Sequence, residues 1–289
     1  MRKPDFFIIG APKCGTTSLS RWLEEHPQIF MSPIKEPHYY STDLGNRTVK
    51  SAKQYAKLFQ NAKEYHKAVG EASTWYLYSK EAVANIERTN PGAKYIVMTR
   101  EPADMAYSLY LHNFRVTYEN ERTFEAAWRL QEIRAAGNSI PRSCPEPDML
   151  KYYSACALGS LLQVLLDKVP QKRILLLSLE DVSKDPAGHY RCVLQFLDVE
   201  DDNRSSFPVA NASRQYRSRL FQKILKAGAK ARQALGIMRG LQLAKLNERN
   251  IFKPSLPEDF LEEINETFSK ERKLLASLKA ELMQRVQEK

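Results

Sequence analysis

Long apolar runs are missing from this chain. Nothing in it approaches the roughly 18 uninterrupted apolar residues of a membrane span, so no transmembrane helix is expected. Arg2 and Lys3 lead straight into a short apolar stretch without a small-residue cleavage site, which does not read as a secretory leader. Cysteine is scarce: Cys14, Cys144, Cys156 and Cys192 form no CxxC pair and have no metal-like spacing to the histidines. Neither a disulfide framework nor a metal site is expected, and a reducing, cytoplasmic setting fits. Internal repeats and low-complexity tracts are absent too. What remains is the profile of a soluble globular protein: 289 residues, of which 43% are apolar, enough to bury a core.

Acidic residues are nearly absent from one segment. Residues 214–253 hold 11 Lys and Arg against the single acid Glu248, so this stretch carries the whole formal net charge of +10. Such a segment suits an anionic partner, a glycan or acidic lipid headgroups, or else packs as an amphipathic cap. With few aromatics interleaved, nucleic acid is not the expected partner. Leu220, Ile224, Leu235 and Met238 fall there at helical intervals interrupted by Gly228, Gly236 and Gly240.

Elsewhere short apolar stretches alternate with helical patterns. Strands are expected over 5–11, 68–72, 93–99 and 173–179, and helices over 16–25, 79–88, 102–113, 123–136 and 151–168. A further helix opens at Asp185 and Pro186 and runs to Leu197. Residues 135–149 form a long loop, of the kind that serves as lid or binding loop or as a plain surface excursion. The last helix is expected to start with a capping box, Ser255 to Glu258, and to carry Phe260, Ile264, Phe268, Leu275, Leu278 and Leu282 on one stripe. This alternation predicts an α/β fold, with a parallel sheet covered by helices on both faces and an appended helical C-terminal segment. We expect one domain over 1–289: an α/β core over 1–200 and a basic helical part over 201–289.

The most informative stretch is FFIIGAPKCGTTSL, residues 6–19. Gly10 and Gly15 have the spacing of a triphosphate-binding loop, yet Thr16 stands where that loop has its lysine, and Lys13 lies inside the turn. Strand, glycine turn and helix still aim backbone N–H groups at one anion, with Lys13 for charge and Thr16, Thr17 and Ser18 for hydroxyls. Cys14 sits in the loop without a histidine nearby in sequence, so nucleophilic chemistry is not assigned to it. Arg100 ends a strand where a magnesium-dependent enzyme would place an acid, and Ser108 lies about two turns into the next helix; together they can grip a second phosphate. Glu180 and Asp181 are the acids left for a metal, as the rival reading of a magnesium-dependent nucleotide kinase requires. A non-catalytic anion- or glycan-binding protein is a third reading.

These motifs resemble those of the sulfotransferases that use 3′-phosphoadenosine 5′-phosphosulfate, in a soluble, bacterial-like form of the glycan and heparan sulfate branch. APKCGTTSL is similar to that family's 5′-phosphosulfate loop, and YIVMTREPADMAYSLYLH, residues 95–112, to its 3′-phosphate motif. KEPHYY, GEASTWYL and LSLEDVSKDP, starting at residues 35, 70 and 177, are similar to further family segments. The resemblance implies a P-loop-like three-layer αβα fold. It implies sulfuryl transfer to a hydroxyl, more as in glycan or glycolipid acceptors than aromatic alcohols, without a required metal. The donor would be held by Lys13, Cys14, Gly15, Thr16, Thr17, Ser18, Arg100 and Ser108, with Ser213, Arg214 and Arg217 where a late loop covers the nucleotide. Glu36 would be the general base and Lys13 the catalytic cation, with Lys35 and His38 as helpers. His38 or His112 could replace Glu36 as base. Glu71, Ser73 and Tyr76 would line the acceptor pocket, although Glu71 also fits a buried structural acid.

Overall fold

The computed structural model describes residues 2–210, 214–216, 248–250 and 255–287. Ser213 and Arg217, and most of the basic segment 214–253, lie outside them. Five parallel strands form the central sheet in the order β2-β3-β1-β4-β5: β1 (Phe6–Gly10), β2 (Ile29–Met31), β3 (Ala68–Ala72), β4 (Lys94–Thr99) and β5 (Ile174–Ser178). Four answer to the expected stretches. β2 was not foreseen, because three residues are too few to display a period.

β1 lies at the centre and is buried along its whole length, as a strand covered on both faces must be. It pairs with β3 through Phe6 opposite Gly70, and with β4 through Phe6 opposite Lys94. Gly70 is required there: a Cβ would fall 2.1 Å from the Phe6 ring. Strand order reverses on either side of β1, so the carboxyl ends of β1 and β4 open onto the crevice where such sheets bind ligands.

The helices are α1 (Thr16–Glu24), α2 (Ala52–Lys57), α3 (Ala82–Thr89), α4 (Pro102–Arg115), α5 (Phe124–Arg129), α6 (Gln131–Ala135), α7 (Tyr152–Cys156), α8 (Leu158–Leu166), α9 (Leu179–Lys184) and α10 (Pro186–Phe196). α10 starts as expected, with Asp185 accepting the Gly188 N–H at 2.8 Å and Pro186 in the first turn. Two expected helices are broken: 123–136 divides at Leu130 into α5 and α6, and 151–168 divides at Ala157 into α7 and α8.

The C-terminal helix also departs from expectation. It forms as α11 (Glu258–Thr267) and α12 (Ser269–Gln287), joined at Phe268. The Ser255 capping box is not made, and Pro257 takes the N-cap without a side-chain hydrogen bond. A proline pushes the residue before it out of helical geometry, so Leu256 cannot belong to a first turn. Phe260, Ile264, Phe268 and Leu278 are buried in the main core, and Glu271 accepts the Ser160 N–H (2.9 Å) and hydroxyl (2.6 Å) at the start of α8. Between α10 and α11, β6 (Arg214–Tyr216) pairs antiparallel with β7 (Glu248–Asn250), so the ends of the basic segment are strands where helix was expected.

Candidate active site

A cleft of about 1200 Å³ opens at the carboxyl ends of β1 and β4. One side is built by the β1–α1 loop. Gly15 is the N-cap of α1 with φ 84°, provides no side-chain cap, and is followed by no acid in the first turn. The first N–H groups of a helix lack intrahelical acceptors and carry the positive end of its dipole, so this uncapped end is a seat for an anion. A Cβ on Gly15 would fall 2.7 Å from Leu179 Cδ1. Lys13 adopts φ 67° without glycine's freedom, held by Arg100 Nη1, which donates to its carbonyl at 3.3 Å. Burial, with Arg115 and Arg100 close by, lowers the Lys13 amine to about 8 against a partial offset from Glu36. An anion would reverse that.

Thr16, Thr17, Ser18, Arg100 and Ser108 all line this cleft. Cys14 does not. Its thiol is wholly buried, 3.6 Å from Met105 Sδ and 3.5 Å from the Pro12 carbonyl, and burial pushes its pKa far up, so its side chain serves packing rather than ligand contact. Residues 207–210 return over α1: Trp22 Nε1 donates to Pro208 O (3.1 Å), and the Ala210 N–H to Ser18 Oγ (3.1 Å). That brings the chain to the loop three residues before Ser213. Arg214 lies in β6. Of the acids a metal would need, Glu180 Oε1 accepts the Glu101 N–H at 3.0 Å and Asp181 pairs with Lys279 at 2.7 Å.

Lys35, Glu36 and His38 follow β2 and line the cleft opposite Lys13's loop. Glu36 (φ 63°) and His38 (φ 50°) are both left-handed, so this turn and the Lys13 turn each hold a non-glycine residue in a costly conformation. The Glu36 N–H donates to Ala72 O at 2.8 Å, which ties the turn to the end of β3. Lys35 Nζ sits 2.6 Å from Glu36 Oε1, His38 Nε2 3.5 Å from Oε2, and Thr74 Oγ1 donates to Oε1 at 3.3 Å. Burial would raise the Glu36 carboxyl, but the His38 hydrogen bond and the Lys35 charge outweigh it and hold the group well below the usual carboxylate range.

Glu71, Ser73 and Tyr76 do not line the cleft: each is wholly buried behind the Glu36 turn. Glu71 accepts hydroxyl hydrogens from Ser73 (2.5 Å), Tyr55 (2.5 Å) and Tyr76 (3.3 Å), and Ser73 Oγ accepts the His38 N–H at 3.0 Å. A strand buried on both faces cannot present Glu71 to a ligand, so the acid braces the turn from within. His112 does line the cleft, with Nδ1 3.3 Å from Arg115 Nη2.

The cleft is also lined by residues that sequence reasoning missed, among them Gly45, Asn46, Arg47, Thr48, Thr74, Trp75, Arg115, Tyr118, Pro145 and Met149. They lie in loops or singly at element ends, where no period marks them. The long loop 135–149 therefore serves the cleft. Thr48 Oγ1 donates to the Glu36 carbonyl at 2.9 Å, and Gly45 N–H to Glu146 Oε2 at 2.6 Å, which binds the missed loop to both neighbours. Glu119 and Arg134, both fully buried, form a bidentate pair at 2.7 Å beside Tyr118, with Tyr152 OH donating to Glu119 at 2.7 Å.

A parallel sheet with an uncapped helix N-terminus at its switch point, an arginine beyond the next strand and a carboxylate across the cleft defines an α/β group-transfer protein for nucleotide-type anions. The chain belongs to the sulfotransferase family: the sulfotransferase domain model matches residues 3–276. It is 27% identical over 272 residues to human carbohydrate sulfotransferase 15, covering 73% of this chain and 47% of that protein. Mouse bifunctional heparan sulfate N-deacetylase/N-sulfotransferase 4 is 26% identical over 206 residues, covering 68% of this chain and 22% of that protein. The chain thus spans less than half the length of these relatives. Among solved structures, a sulfotransferase from Alicyclobacillus acidocaldarius matches with a TM-score of 0.65 and 27% identity, over 85% of this chain and 100% of that one. Among the described residues no helix is long and apolar enough to cross a membrane.

Proposed function

We propose that this protein moves a sulfuryl group from 3′-phosphoadenosine 5′-phosphosulfate to a carbohydrate hydroxyl, acting as one domain over residues 1–289. The observation that carries the reading is a single cleft that sets Lys13 and the bare N-terminus of α1 opposite an ionised Glu36. When bound, the donor supplies an activated sulfuryl group whose bond to phosphate breaks as the acceptor oxygen bonds to sulfur. The N–H groups at 15–17 and the hydroxyls at 16–18 would hold the 5′ anion, and Arg100 and Ser108 the 3′-phosphate. Lys13 would neutralise the charge that grows on the departing phosphate oxygen.

Glu36 would accept the hydroxyl proton of the acceptor. A carboxylate paired with Lys35 at 2.6 Å is a poor base. Lys35 must therefore be drawn towards an incoming anion before Glu36 gains basicity, which couples base strength to occupancy of the cleft. His38 keeps the carboxylate oriented. No step is assigned to a metal ion, and Glu180 and Asp181, which the kinase reading would use, are engaged in other contacts. The cysteines are free thiols, which favours a cytoplasmic setting. Transfer of label from the sulfur-labelled donor to a panel of saccharides tests the proposal. Wild-type protein should label at least one sugar and Glu36→Gln should not; equal labelling by both would remove Glu36 as base.

A further inference from the structure

Residues 45–48 hold polar atoms that none of the described residues satisfies. Both carboxamide atoms of Asn46 and Nε of Arg47 are buried without a hydrogen-bond partner, and both residues line the cleft beside the Glu36 turn. Buried polar groups are nearly always paired, so such a cluster marks where a ligand or water belongs. Among the described residues no carboxylate lies within ion-pair distance of Arg47; its guanidinium stacks 5.8 Å from the Tyr39 ring and reaches only the Lys50 carbonyl, at 3.4 Å. The loop is nevertheless firmly placed. Thr48 and Val49 N–H groups donate to Pro37 O at 3.1 and 3.0 Å, one residue from Glu36. Arg115 lines the same cleft, and the nearby carboxylates among the described residues are engaged: Glu36 is paired with Lys35, and Glu146 accepts the Gly45 N–H at 2.6 Å.

We propose that residues 45–48 form the acceptor subsite and take an anionic saccharide, Arg47 reading a carboxylate or sulfate ester and the Asn46 carboxamide a neighbouring hydroxyl. The proposal rests on the sulfuryl-transfer reading and adds to it the charge of the acceptor. Arginine's planar fork matches both anionic groups, and a carboxamide that both donates and accepts suits a sugar hydroxyl. An aromatic alcohol would leave these atoms unpaired.

The test is calorimetric titration of the protein, saturated with 3′-phosphoadenosine 5′-phosphate, with three tetrasaccharides: one bearing glucuronate, its carboxyl-reduced neutral counterpart, and an O-sulfated form of the neutral sugar. Wild type should bind at least one acidic sugar about tenfold or more tightly than the neutral one, the scale of a charge-assisted hydrogen bond. The tighter of the two identifies the group that is read. Arg47→Gln should erase the preference and leave nucleotide affinity unchanged. Equal binding of all three sugars, no binding of any, or a preference kept in Arg47→Gln would overturn the proposal. Asn46→Ala provides a second check should Arg47→Gln fail to fold: affinity for all three should fall together, and unchanged affinity counts against the subsite. If the nucleotide itself does not bind, the donor assignment fails, and the same titrations without nucleotide still decide the subsite.

Discussion

On the α1 side of the cleft backbone donors, the first N–H groups of a helix, are fixed by a buried central strand and a left-handed Gly15 and stand beside the side chains of Lys13, Arg100 and Ser108. On the side of residues 45–48 the polar groups come from side chains, Asn46, Arg47 and Arg115, carried on loops or a helix end. Backbone donors fixed to a sheet recognise charge and shape, and a substitution changes them only by disturbing the turn that holds them. Side chains on loops can be retuned by one substitution, at little cost to the fold. A donor common to a family and an acceptor particular to each member would divide a cleft in this way.

The contrast can be broken at the centre of the cleft. Glu36→Gln should lower turnover by about 10²–10⁴-fold, the usual contribution of a general base, while nucleotide affinity stays within about twofold. A comparable loss of nucleotide affinity would mean that the two halves are not separable. The next largest effect is on the support of the acceptor side. Glu119→Ala leaves Arg134 buried and uncompensated, and should cost about 3–5 kcal/mol in denaturant unfolding. A loss under about 1 kcal/mol would show that the loop bearing Tyr118 is held by other contacts.

On the donor side, Gly15→Ala puts a Cβ against Leu179 at φ 84° and should destabilise the fold by about 1–3 kcal/mol. It should also weaken nucleotide binding and leave saccharide binding intact. Reversal of that pattern would contradict the division. The smallest effect is that of pH. Free Lys13 loses its proton near 8, below its unfolded value, so between that pH and about 10.4 the unfolded chain binds more protons, and stability from this group rises with pH. Nucleotide binding prefers charged Lys13. Affinity should be flat from pH 7 to about 8 and then fall by up to about tenfold per unit, and a Lys13→Met variant should lack the fall. Titrations at a series of pH values decide this.

The α1 half of the cleft was legible because local order writes it into sequence. FFIIG reads as a buried strand, Gly15 requires the turn, and Arg100 and Ser108 sit at a strand end and on the following helix. All six residues, 15–18, 100 and 108, reach the cleft. Within the same motif the Cys14 side chain points into the core, since spacing places a residue in a loop without saying which way its side chain points. Glu71, Ser73 and Tyr76 follow the right strand but face the interior, which for Glu71 is the buried structural acid that the sequence also allowed. Asn46, Arg47 and Tyr118 could not be read at all. Their positions depend on β2, three residues long, and on hydrogen bonds that Thr48 and Gly45 donate to Glu36 and Glu146 and that Glu119 accepts from Arg134.

The central claim is that the bare N-terminus of α1, with Lys13 and Arg100, is a seat for the 3′-phosphorylated nucleotide. Calorimetric titration of wild type and Arg100→Met with 3′-phosphoadenosine 5′-phosphate, and with ATP plus magnesium, tests it most directly. We predict one-to-one binding of 3′-phosphoadenosine 5′-phosphate, unaffected by a chelator and weakened in Arg100→Met, with ATP and magnesium far weaker. Binding of ATP with magnesium, and none of 3′-phosphoadenosine 5′-phosphate, would contradict it.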